Sequence, residues 1–157
     1  MKTKLATPVM IVCILALAVN TGAGIYQHMF GIPQMLSSPD SMTAYFHSDS
    51  KEPQLFWIPL HIISLFSLIA SLVLNWKNSL RKKPLIIALS GLVYVDLISI
   101  HFSKLLFGFS NITDINEFHR QTTLWLDLSW HRLGVMLISE ILLLFALSKP
   151  LVNTGSN

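Results

Sequence analysis

Four long apolar runs separated by three polar connections account for most of the chain. They cover about residues 6–31, 55–76, 84–107 and 122–148. Each is long enough to cross a hydrocarbon core of about 30 Å, which takes roughly 20 helical residues. The pattern predicts an all-α protein: a four-transmembrane-helix up-down bundle forming a single integral membrane domain over residues 1–157.

The connections sharpen this reading. Pro59 falls in the first turns of the second run and Pro84 opens the third, positions where a missing N–H costs little. The segment 33–55, with Pro33, Pro39 and Pro53 among Asp40, Asp49 and Glu52, predicts an ordered or capping loop. Asn75 to Pro84 predicts a tight hairpin, and Lys149-Pro150 stops the last helix before a disordered tail. A cleavable signal peptide competes for the first run, because Thr21-Gly-Ala23 offers small residues at a cut site. Apolar character continues past that point through Ile25, Tyr26, Met29 and Phe30, which favours a retained helix.

Composition agrees with lipid as solvent. Charged residues make up 12% of the chain, against about a quarter in soluble domains. The net charge of +3 does not point to nucleic acid, because Lys2, Lys4, Lys77, Arg81, Lys82, Lys83 and Lys149 all flank apolar runs. Their alternation puts both termini in the cytoplasm and suits the plasma (inner) membrane. The lipid bilayer is the expected partner. Cys13 is the only cysteine, so disulfides within the chain and thiolate metal cages are excluded.

The candidate chemistry lies with histidine. Each run carries one near its outer end: His28, His61, His101 and His131. At about 1.5 Å per residue they stand roughly 24 to 30 Å above the inner boundary, within a turn or two of one level. Three stripes of small or polar residues, Asn20-Gly24-His28, Ser90-Tyr94-His101 and Asp127-His131-Gly134, are expected to face inward. A serine-bearing side of the second helix, with Ser64, Ser67 and Ser71 below His61, belongs with them. Imidazole ligates zinc, copper and iron, and two facing imidazoles hold haem. A transition metal or haem on the four histidines is therefore the expected cofactor. Asp127 would orient His131, while Tyr94 and Arg132 would contact substrate. Histidines singly serve more often as hydrogen-bonded packing residues, and His47 and His119 are read as solvated loop residues. Trp57, Trp125 and Trp130 read as an outer aromatic belt and Trp76 as an inner one.

Gly22-Ala-Gly-Ile-Tyr26 followed by Pro33, then Asn111, Asn116, Trp125 and Ser129-Trp-His-Arg132, resemble the pattern of small four-helix membrane proteins related to anthrone oxygenases. The resemblance implies oxygenation of a small hydrophobic or phenolic substrate near the membrane. The segment 111–116 lacks the proline that pattern has between its asparagines. The leading expectation is a membrane-embedded redox or oxygenase-like protein. Alternatives are a small dimeric proton-coupled transporter using the intramembrane Asp96 and Glu140, and a non-catalytic assembly subunit. A homo-oligomer is compatible with each.

Overall fold

A computed structural model describes residues 2–49, 52–109, 111–112 and 114–151; the tail from residue 152 lies outside them. Among the described residues the chain is helical, with no strand. Helix α1 (Lys2–Tyr26) passes through a π-helical turn (Gln27–Gly31) into the short α2 (Ile32–Met35). Then come α3 (Pro39–Asp49), α4 (Glu52–Leu74), α5 (Ser79–Phe109) and α6 (Ile115–Ser148). Four segments are long and apolar enough to cross a membrane: Leu5–Met35, Leu55–Leu74, Ser79–Leu105 and Ile115–Ser148.

Caps explain why several helices outrun their apolar stretches. Asn78 Oδ1 accepts the backbone N–H groups of Leu80 (3.2 Å) and Arg81 (3.4 Å), so α5 begins at Ser79 and Pro84 sits inside it. Asp114 accepts from the N–H groups of Asn116 (2.8 Å) and Glu117 (3.2 Å), which starts α6 at Ile115 rather than near residue 122. The expected loop between the first two spans is instead largely the helix α3. Ser38 Oγ accepts the N–H of Ser41 (3.0 Å), and Pro39 follows at a position that needs no donor. This helix buries Met42, which closes an apolar cluster with Met35, Leu36, Phe102, Phe109, Phe118 and Trp125. The expectation of a cap holds, but the cap is helical.

A second, longer apolar cluster fills the rest of the interior from Met10 to Ala146. Helix α1 packs most extensively on α4, and α5 on α6, while the α1–α6 and α4–α5 seams are thinner. Close approach depends on small residues. A Cβ added at Gly24 would fall 2.6 Å from a Leu133 methyl, and one at Gly91 would fall 2.5 Å from Ser139 Oγ. Gly24 thus lets α1 meet α6, and Gly91 lets α5 meet α6.

The end opposite the Met42 cluster is tied by Arg81. Its Nε donates to the Lys149 carbonyl at 2.8 Å, its Nη2 to the Leu147 carbonyl at 3.3 Å and its Nη1 to Thr7 Oγ1 at 3.5 Å. Asn78 Nδ2 adds a bond to the Pro150 carbonyl at 3.0 Å. These bonds bring the start of α1, the start of α5 and the end of α6 together. The last carbonyls of α6 have no partner further along the helix, and the guanidinium supplies one. Arg81→Met keeps most of the apolar stem and removes the donors. It is expected to destabilise the protein by about 1–3 kcal/mol, read as a lower unfolding midpoint in detergent.

Candidate functional site: a buried arginine, serine and histidine network

The π-helical turn carries His28, which is 6% exposed. Such turns displace one side chain from ordinary helical register and are frequent at functional sites. Nδ1 of His28 lies 2.8 Å from the Gly24 carbonyl, and Nε2 lies 2.7 Å from Ser129 Oγ. A carbonyl only accepts, so Nδ1 carries the proton, and the neutral ring accepts the Ser129 hydroxyl at Nε2. Ser129 is fully buried, and its oxygen accepts from Arg132 Nη2 at 2.6 Å. Arg132 Nη1 donates to Ser99 Oγ at 2.9 Å, and Ser99 in turn donates to the Val95 carbonyl at 2.7 Å. Hydrogen bonds therefore run in one direction, from Arg132 through Ser129 and His28 to the backbone of α1.

Arg132 is the unusual member. Its guanidinium carbon stands 5.0 Å from the Phe102 ring centroid, and its Nε is buried with no hydrogen-bond partner. The ion pairs among the described residues, His61–Asp96 and Glu117–Arg120, do not include it. About 25 Å along α6 from Lys149, it is a cation at membrane depth whose partners are two hydroxyls and an aromatic face. Removing a charge from water is expensive, and neutral oxygens offset only part of that cost.

An open groove of about 200 Å³ between the upper parts of α5 and α6 shares Phe102 with this network. Phe109, Leu124 and Trp125 add apolar wall, and Arg120 and Gln121 contribute polar groups. Trp125 was expected in an outer belt but is buried, donating its indole N–H to the Phe102 carbonyl at 3.2 Å.

The remaining predicted residues fall elsewhere. His61 Nδ1 meets Asp96 Oδ1 at 2.8 Å in the thin α4–α5 seam, both side chains more than a quarter exposed. Tyr94 Oη and His131 Nε2 are 3.2 Å apart on the outside of α5 and α6. His101 and Asp127 are exposed, and neither has a hydrogen-bond partner among the described residues, so Asp127 does not orient His131 here. Glu140 is half-buried and likewise without a partner among them. His119 is exposed, and the side chain of His47 lies outside the described residues.

Two of the stripes expected to face inward do not. Ser90, Tyr94, His101, Asp127, His131 and Gly134 are all exposed, because α5 buries Leu92, Val95 and Phe102 and α6 buries Trp125, Leu133 and Met136 instead. Asn20 and His28 on α1, and Ser64 and Ser71 on α4, do face inward. The four imidazoles therefore do not share one pocket. Among the described residues no three His, Cys, Asp or Glu side chains are placed to hold one ion. Ser99 and Phe102 were not foreseen as members of a site; only contact across α5 and α6 reveals them.

A scan of the chain against protein-family models finds no match. Searches of curated proteins and of solved structures find none either.

Ser129→Ala would leave His28 Nε2 and an Arg132 N–H without their partner, at a cost of about 1–3 kcal/mol. The imidazole ¹⁵N spectrum should show the His28 Nε2 signal shifting as it loses its donor, with the proton kept on Nδ1 by the Gly24 carbonyl and the His61 signals in place. A His28 signal that does not respond would remove Ser129 from the network.

Proposed function

We propose that this protein is an up-down bundle with cytoplasmic termini that binds a small hydrophobic acid from the outer leaflet. The acid, a phenol or carboxylic acid, binds as its anion beside Arg132 and within reach of His28. The observation that carries this reading is the half-buried guanidinium, which has no carboxylate among the described residues and keeps a buried, unused Nε–H. A negative oxygen entering there gains a charge-assisted hydrogen bond in a medium of low dielectric constant. The apolar groove that shares Phe102 suits the hydrophobic part of such a ligand.

His28 supplies proton chemistry. Its Nε2 lone pair is occupied by the Ser129 hydroxyl, and a ligand that displaces or relays through that hydroxyl has access to a base. The Gly24 carbonyl holds the opposite nitrogen and stabilises the imidazolium that forms. Loss of the proton raises electron density on a phenol, which is the starting point for the redox or oxygenase-like chemistry expected from the sequence. Phenolic polycycles, the substrates implied by the resemblance to anthrone oxygenases, belong to this class. No metal or haem enters this reading.

A second reading draws on the His61–Asp96 pair, whose position in an open seam fits proton-coupled transport. There, Asp96→Asn abolishes proton-driven efflux while Arg132→Gln spares it.

The test of the leading reading uses 1-naphthol, with naphthalene as the neutral control, on protein in lipid nanodiscs. Trp130 lies 5.2 Å from His28 between ring centroids and reports binding through its fluorescence. Saturable naphthol quenching is expected, tightening as pH rises toward the phenol pKa. Arg132→Gln should weaken it at least about tenfold, a loss of about 1.4 kcal/mol, with naphthalene unaffected. Equal naphthol affinity in wild type and variant would sink the proposal.

A further inference from the structure

The outward stripes of α5 and α6 form one continuous surface. Tyr94 and His131 join them, with 3.2 Å between Oη and Nε2 and ring centroids 6.0 Å apart at 85°. Ser90, Tyr94 and His101 share one side of α5, and Asp127, His131 and Gly134 share one side of α6. Counted from the Arg81–Lys149 end at about 1.5 Å per residue, Tyr94 lies near 20 Å, His131 near 27 Å, His101 near 30 Å and Asp127 near 33 Å. The surface therefore climbs from mid-bilayer to the outer headgroups. Polar groups turned toward acyl chains are costly, and intramembrane imidazoles normally face protein.

We propose that a second copy of this chain covers this surface, giving a two-fold symmetric dimer through α5 and α6. The charges favour a like copy over another occupant. Asp127 is a carboxylate without a cation, and His101 and His131 are imidazoles without a carboxylate, all on the same patch. A two-fold axis lays this patch on itself, so each carboxylate meets an imidazole of the other copy. Gly134 also permits close approach. A Cβ there meets nothing within 4 Å in the isolated chain, so its lack of a side chain answers no constraint within the chain. At a helix–helix interface in lipid, such a position lets a neighbouring backbone come near.

Gly134 makes the test specific. Because its surroundings are open, Gly134→Leu should leave helicity and unfolding midpoint unchanged while filling the contact surface. Dimerisation is read by energy transfer between donor- and acceptor-labelled copies in liposomes, across a range of protein-to-lipid ratios. Wild type should transfer well above random co-localisation. Gly134→Leu should lower the association constant at least tenfold, and Asp127→Ala should weaken it as well. Gly22→Leu, on the exposed side of α1 with equally open space, should associate like wild type. Transfer at the random level in wild type, or undiminished transfer in folded Gly134→Leu, would overturn the proposal.

Discussion

A guanidinium kept at membrane depth without a carboxylate sets the terms for the upper half of this bundle. Arg132 needs oxygen acceptors from more than one helix, and it finds Ser129 on its own helix and Ser99 on α5. Ser129 then needs an acceptor for its own proton, and His28 provides it only because the π-helical turn carries that ring into the interior. Gly24, one turn below, both accepts from His28 and leaves room for Leu133. Each choice depends on the one before it. The thin α1–α6 seam is thus joined by a directional polar chain.

The opposite end uses the same principle with the reverse arrangement. Arg81 also has no carboxylate partner among the described residues, but it faces helix-terminal carbonyls that already lack donors. Its positive charge meets the negative end of the α6 dipole, so its environment is complete. Arg132 sits mid-helix, where backbone carbonyls are taken and only side-chain hydroxyls remain. This contrast is what the proposed ligand at Arg132 rests on, while Arg81 serves as a structural tie. Two arginines without carboxylate partners among the described residues thus sit in different surroundings.

The spans were legible in the sequence because apolar length is set by bilayer thickness and needs no tertiary contact. The caps were partly legible. Asp114 with Glu117 three residues on, and Ser38 before Pro39, are helix starts that the polarity of their surroundings disguised as loop. Helix rotation was not legible. In lipid the outside of a bundle is as apolar as its inside, so the hydrophobic contrast that orients a soluble helix is missing. Small and polar residues were the substitute signal. It identified the inner face of α1 and α4, and it picked out an outward surface on α5 and α6.

The contiguous residues 129–132 show why proximity in sequence misleads here. Successive helical residues are turned by about 100°, so Ser129 and Arg132 lie within about 60° of each other while His131 points some 160° away from Ser129. One short motif thus serves two environments: Ser129 and Arg132 close the buried network, and His131 with Tyr94 lies on the outer surface. Depth along the axis is shared by all four histidines, but azimuth is not, and a common site needs both. The polar content of α6 is accordingly partitioned between an interior network around Arg132 and an outward surface around His131.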